Sequence, residues 1–203
     1  MAVIHHATLR PSKLEALAVW LPDQPWSGVS AGDDLATAGK FRFDDPAGEV
    51  GVETVLVRTT DGRVLQAPLT YRGAPLDGAE AFLVTEMDHS VLGPRWVYDA
   101  VGDPVYADVL RRAIATGGNE ATLERADGSG AWDAEGTASG SGSDADSPTV
   151  TTVDAQTSGA LTSVATGHGA LVVARAVGAE LPAGRTLTGG WADGTGVLAV
   201  LVP

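Results

Sequence analysis

The chain has 203 residues, 44% of them apolar, no cysteine and a formal charge of −13; this suffices for one hydrophobic core and excludes a disulfide framework, a thiolate metal site and a cysteine nucleophile. Between Asn119 and Asp154, the acidic residues Glu120, Glu124, Asp127, Asp133, Glu135, Asp144, Asp146 and Asp154 face only Arg125, so −7 of the charge sits in one stretch, a field that repels phosphate backbones and argues against nucleic acid as a partner. No apolar run reaches the roughly 18–20 residues of a membrane helix, and Met1-Ala2-Val3-Ile4-His5-His6 lacks the pattern of a signal peptide; the expectation is a cytoplasmic protein with no membrane partner.

In chain order, Val3 to Leu9 reads as a short strand. His5 and His6 then point to opposite faces and make a poor metal pair. Ser12-Lys13-Leu14-Glu15 has capping-box spacing behind Pro11, and Leu14, Leu17, Ala18 and Leu21 fall on one helix face before Pro22 and Pro25 end it. Val50–Thr60 and Arg63–Tyr71 flank Asp61-Gly62, which suits a two-residue type I′ hairpin turn. Folding there pairs Leu56 with Ala67, Thr54 with Leu69 and Val52 with Tyr71, and puts Glu53 near Thr70 on the other face. Pro68 lacks a ladder donor and suggests an edge or a bulge.

A third strand is expected over Glu80–Asp88, a short helix over Arg95–Ala100, and a longer helix over Asp103–Thr116. Asp103 is its N-cap, Pro104 its first residue, Val105, Val109, Arg112 and Ala113 one side, and Gly117-Gly118 its stop. Residues 117–160 run Gly-Ser-Asp-Thr-rich and read as an acidic linker or long loop. Strands return at Leu171–Val177, Thr186–Trp191 and Gly196–Val202. The organisation expected is a domain over 1–116, the linker or loop over 117–160, and strands in 161–203 completing the same domain.

The motifs of common chemistries are missing. There is no Gly-x-x-x-x-Gly-Lys-[Ser/Thr] phosphate loop and no His-Glu-x-x-His. Asp44-Asp45 fits an Asx-type turn. Glu49 and Glu53 would stand roughly 13 Å apart along a strand, too far for one site. No metal and no cofactor are therefore expected. The densest mixed group is His89, Arg95, Trp96, Tyr98 and Asp99, joined by Tyr71 and Arg72. Rings to stack on beside charges that orient polar groups suit sugar or protein binding, so these seven form the candidate surface; an Arg95–Asp99 pair at helical spacing is the structural alternative.

Several stretches carry a family likeness. Val3-Ile4-His5-His6-Ala7-Thr8-Leu9, Phe41-Arg42-Phe43-Asp44-Asp45-Pro46-Ala47-Gly48-Glu49-Val50-Gly51-Val52-Glu53, Pro68-Leu69-Thr70-Tyr71-Arg72-Gly73-Ala74-Pro75-Leu76 and His89-Ser90-Val91-Leu92-Gly93-Pro94-Arg95-Trp96-Val97-Tyr98-Asp99 resemble the maltokinase N-terminal cap. The likeness is to its stand-alone bacterial form, often labelled automatically as a 1,4-alpha-glucan branching protein. Thr186-Leu187-Thr188-Gly189-Gly190-Trp191 is similar to the end of that cap. The resemblance implies an α+β fold: a cystatin-like curved antiparallel sheet with helices packed on one face. It also implies a non-catalytic accessory or binding module of maltose and α-glucan (glycogen, trehalose) metabolism. Its partner would be a separately encoded sugar kinase or α-glucan enzyme, and a saccharide its ligand. The kinase residues of the family lie outside the cap, and neither a His-Gly-Asp nor an Asp-Phe-Glu pattern occurs here. A branching activity would need a catalytic barrel larger than this chain. The alternative is a small sugar-binding protein or enzyme using His89 to Asp99.

Overall fold

The computed structural model describes residues 2–4, 7–125, 130 and 134–203; His5, His6, Asp127 and Asp133 lie outside them. The described chain runs β1 (Ala2–Ile4), β2 (Leu9–Arg10), α1 (Lys13–Trp20), β3 (Ala36–Phe43), β4 (Gly51–Arg58), β5 (Val64–Arg72), β6 (Leu83–His89), β7 (Gly93–Asp99), α2 (Pro104–Thr116), β8 (Leu123–Arg125), β9 (Thr137–Gly140), β10 (Asp154–Ser158), β11 (Leu161–Ala165), β12 (Ala170–Ala174), β13 (Arg185–Trp191) and β14 (Gly194–Val202). Two curled six-stranded antiparallel sheets dominate, ordered β2-β6-β7-β5-β4-β3 and β10-β11-β12-β14-β13-β9, and β1 pairs in parallel with β8. The expected strand from Val3 to Leu9 is thus divided between β1 and β2, which join different partners.

Local chemistry explains the first sheet. The capping box forms: Glu15 N donates to the Ser12 hydroxyl at 3.3 Å, and Ser12 N donates to the Glu15 carboxylate at 2.8 Å. Helix α1 buries Ala16 and Leu17, with Leu21 beyond it, against Val55, Val57, Leu65, Ala67, Leu69, Met87 and Val97.

The β4–β5 hairpin departs from the expected turn. A type I′ turn needs positive φ at Asp61 and Gly62, but among the described residues only glycines have it, Gly62 at +85°. Gly62 N donates to Thr59 O at 3.0 Å, and Thr59 N to Arg63 O at 3.0 Å. The loop is longer, and the register slips by one: Val55 opposes Ala67, Glu53 opposes Leu69 and Gly51 opposes Tyr71. Such a slip exchanges faces, so Leu69 and Tyr71 share a face with Glu53 instead of with Thr54.

Arg95–Ala100 is not a helix. Gly93–Asp99 is strand β7, paired with both β6 and β5, and only Ala100–Gly102 makes a 3-10 turn. The aromatic and β-branched run Trp96-Val97-Tyr98 suits a pleated surface between two neighbours. Helix α2 follows as expected, with Val105 N donating to Asp103 at 2.9 Å and Gly117 left-handed at φ 73°. Its buried stripe is Tyr106, Val109, Leu110, Ala113 and Ile114, while Arg112 stays half-exposed.

From Thr137 on, the acidic stretch contributes two strands to the second sheet. β9 pairs with β13, and β10 with β11. Its glycines serve close contact: a Cβ on Gly140 would sit 1.9 Å from Ala113 O, and one on Gly142 2.0 Å from Ala115 O. Bare backbone there lets Gly142 N reach Ile114 O and Asp144 N reach Ala115 O, both at 2.9 Å, satisfying the orphan carbonyls at the end of α2. Three of its acidic side chains have basic partners. Arg112 holds Asp146 at 2.5 Å, Lys40 holds Glu135 at 2.8 Å, and Arg185 pairs with Asp144.

Residues 161–203 supply β11 to β14. Leu171, Val173, Leu187, Leu198 and Leu201 share one cluster with Phe41, Phe43, Val52 and Leu56 of the first sheet and the inner stripe of α2. α2 lies mainly on the second sheet, whereas α1 packs on the first. Beyond β12 the chain crosses to β5, where Gln66 N donates to Arg175 O and Val177 N to Val64 O, both at 2.8 Å. Strand β5 therefore changes neighbours along one side, from 175–177 at Val64–Gln66 to β7 at Leu69–Arg72. Pro68 sits at the changeover. Its ring nitrogen points the same way as Gln66 N, two residues back, so the missing donor falls where neither neighbour needs it.

Candidate functional site

Where β7 stops beside this changeover, the surface opens into a cleft of about 240 Å³. The part of the chain up to Asp99 supplies most of its wall. Trp20 ends α1, and the Pro22–Pro25 segment turns the chain so that Trp26 meets Trp20 edge-on, with centroids 5.8 Å apart at 66°. The Ser27 hydroxyl donates to Leu21 O at 2.6 Å and accepts from Val29 N at 3.0 Å, which fixes that turn. Phe82, from the 3-10 turn before β6, closes the opposite side together with Ala81. It rests on Gly102, where a Cβ would lie 2.3 Å from the ring. The β10–β11 hairpin adds Thr157 and Gly159 from the second sheet.

Among the described residues, Asp99 is the one ionisable group on the lining, and it is 5% exposed. Arg175, 1% exposed, binds it in a bidentate fork, with Nη1 to Oδ1 at 2.9 Å and Nη2 to Oδ2 at 2.6 Å. Arg175 Nε donates to Thr162 Oγ1 at 2.7 Å, and Thr162 meets Thr157 Oγ1 at 2.8 Å. The guanidinium also stacks over Trp26, 4.9 Å from the ring centroid, a cation–π contact. A buried charge pair needs such complete satisfaction. The floor of the cleft is thus polar, rigid and electrically neutral as a pair.

The seven residues expected to form one surface are divided. Strand alternation and cross-strand pairing put Tyr71, Arg95 and Asp99 on one face of the sheet and Arg72, Trp96 and Tyr98 on the other. Tyr71 donates to Glu53 at 2.9 Å, and Lys13 Nζ approaches the same carboxylate at 2.5 Å. Burial alone would raise the Glu53 carboxyl, but the charges of Lys13 and Arg42 and the bonds from Lys13 and Tyr71 hold it below 4.5. The Tyr71 phenol is pushed well up by burial and by Glu53. Arg72 grips Asp103 at 2.7 Å through both Nε and Nη2, bracing the α2 N-cap. The Tyr98 hydroxyl accepts from Leu76 N at 2.9 Å. His89 Nδ1 accepts from Val91 N and Leu92 N at 3.2 and 3.1 Å, shaping the β6–β7 turn. Arg95 Nη1 donates to Pro94 O at 2.8 Å, so no Arg95–Asp99 pair forms and Asp99 turns to Arg175 instead. Of the seven, Asp99 alone lines the cleft. Trp20, Trp26, Phe82 and Arg175 were outside the expected group. Among the described residues no cluster of three or more His, Asp or Glu is arranged to hold a metal ion, and no helix is long and apolar enough to cross a membrane.

Residues 20–103 match the family model of the maltokinase N-terminal cap domain, so this stretch of the chain is cap-like. The match runs from the first cleft tryptophan through β3 to β7 and ends at the N-cap of α2. No curated protein matches the chain.

Proposed function

We propose that the chain is a non-catalytic accessory module of maltose and α-glucan metabolism that docks on a separately encoded sugar kinase or α-glucan enzyme. The observation that carries this reading is the match of residues 20–103 to the maltokinase cap, which links the family to that metabolism. The side chains favour a scaffold over a catalyst. Three buried carboxylates are engaged in holding the fold, with Arg72 on the Asp103 cap, Lys13 and Tyr71 on Glu53, and Arg175 on Asp99. Strands β4 and β5 are covered on both faces, so docking would use the sheet's ends and edges. Val91 and Leu92, 54% and 46% exposed at the β6–β7 turn, are apolar residues on offer there.

The test is sedimentation velocity of the purified chain mixed with a maltose-phosphorylating kinase and with an α-glucan enzyme from the same genome, beside an assay of the chain alone with ATP and maltose. The expected result is a complex with one enzyme and no phosphoryl transfer by the chain. Transfer by the chain alone, or no complex with either enzyme, would overturn the reading.

A further inference from the structure

We propose that the Trp20–Phe82–Asp99 cleft is a saccharide subsite that takes one pyranose ring at the end of an α-glucan, an inference that deepens the accessory reading above and rests on it for the glucan. Three features of the cleft select the ligand class.

The first is charge. Among the described residues, Asp99 is the only ionisable one lining the cleft, and Arg175 neutralises it with two hydrogen bonds. A phosphate would find no unpaired cation there, and a metal ion or amine would meet a carboxylate already compensated. A neutral ligand fits. The second is the combination of surfaces. Trp20 and Phe82 offer rings, which suit the flat C–H face of a pyranose. Between them stand Asp99, Gln24 and Thr157, groups that donate to and accept from hydroxyls. A carboxylate has about four acceptor sites. Arg175 takes one on each oxygen of Asp99, leaving the others for sugar hydroxyls. A purely apolar ligand would bury these groups unpaired, which costs free energy. The third is size. The cleft holds about 240 Å³, below the roughly 300–1,000 Å³ of sites that enclose a drug-sized molecule. One ring fills it, and the rest of the chain leaves through the open mouth.

The binding groups are held before any ligand arrives. Arg175 fixes both oxygens of Asp99, the Ser27 hydroxyl fixes the loop of Trp26, and Thr162 orients the Thr157 hydroxyl. Such preorganisation lowers the ordering cost of binding. The subsite also spans the family match and the sheet that follows it, because Thr157 lies beyond residue 103.

Isothermal titration of the full chain with maltose, maltotriose, cellobiose and maltose 1-phosphate tests the proposal. Saturable binding of maltose and maltotriose is expected, with cellobiose at least about tenfold weaker and the 1-phosphate no tighter than maltose. Trp20→Ala removes the stacking ring and is expected to weaken maltose binding at least about tenfold. Because Trp20 also packs against Trp26, Ala81→Trp is the companion variant: it adds bulk at an exposed lining position and is expected to abolish binding with Tm unchanged. No saturable heat with any saccharide, or maltose binding that survives both variants, would overturn the subsite. Equal binding of cellobiose would overturn the α-glucan identification. Complex formation with the kinase or glucan enzyme in the absence of saccharide binding would sink this proposal alone and leave the docking reading standing.

Discussion

Replacing Arg175 with methionine keeps the length of the side chain and removes its charge. Asp99 is then left 5% exposed with both oxygens stripped of their guanidinium partner, and Thr162 loses the donor at 2.7 Å. Breaking a buried pair from one side costs about 3–5 kcal/mol, because a charge remains without a partner. For a chain of this length each kcal/mol lowers Tm by about 2–4 °C, so a drop of about 6–20 °C is expected. The double variant Asp99→Leu/Arg175→Met removes both charges and restores an apolar contact, which is often neutral for a buried pair. It should recover at least half of the loss, giving a coupling of about 2 kcal/mol or more. Urea unfolding followed by circular dichroism measures all of these free energies. Hydrogen exchange gives the local readout: the amides of Gln66 and Val177, which bond across the sheet changeover at 2.8 Å, should lose protection first in Arg175→Met. If the single variant costs less than about 1 kcal/mol and the two substitutions add without coupling, the pair does not fasten the sheets and the reasoning fails.

Three further outcomes follow from other parts of the fold. Gly140→Ala puts a Cβ 1.9 Å from Ala113 O; since backbone must move, a loss of at least about 2 kcal/mol in urea is expected, whereas the exposed Ser143→Ala should stay within about 0.5 kcal/mol. Asp103→Asn keeps an oxygen for the α2 N-cap but weakens the Arg72 fork, so it should cost less than Asp103→Ala, which loses cap and fork together; equal losses by thermal unfolding would show that the cap contributes nothing. Acid should destabilise the chain through Glu53. Its folded-state carboxyl is held below 4.5, so its stabilisation is present above that pH and is lost as pH falls through the lower folded value. Asp61, held down to about 2 by the Thr59 hydroxyl and Arg63, adds to the same acid limb below 3.8. A urea midpoint series from pH 6 to 3 should therefore show a shallower acid decline in Glu53→Gln, and an unchanged slope would remove Glu53 from the account.

Much of the fold was legible because local rules and tertiary packing agree there. The Ser12–Glu15 capping box, the Asp103-Pro104 start of α2 and its Gly117 stop all form as read. The failures share a cause: each depended on a partner distant in sequence. Asp61-Gly62 is compatible with two turns, and the observed one is braced by Arg63, which spans Asp61 and the Ser27 carbonyl. Arg95 and Asp99 have helical spacing, but β5 and β6 claim the strand edges on both sides of that run. The stretch around Gly140 has the composition of a flexible chain, yet its glycines are the residues that can lie against the carbonyls ending α2. Composition reports how few apolar side chains a segment has, not whether its backbone has a surface to bond.

The cleft was harder to read for the same reason. Its parts come from Trp20 to Trp26, Phe82, Asp99 and Thr157, and no local motif links them. Asp99 stood in the expected group, but with Arg95 as its companion; its true partner lies 76 residues further on. One signal did point there. The run Ala170-Leu171-Val172-Val173-Ala174-Arg175-Ala176-Val177 carries a single charge among apolar residues. A strand that apolar is buried on both faces, and arginine is almost never fully buried unless paired. Arg175 therefore demanded a buried carboxylate elsewhere in the chain. The acidic residues seated in apolar strand context were few, chiefly Glu53 and Asp99, and the first already had Lys13 and Tyr71 within reach of its face once the hairpin register is set. Unpaired charge in an apolar run is thus a long-range constraint written in one dimension, and here it leads to the floor of the cleft.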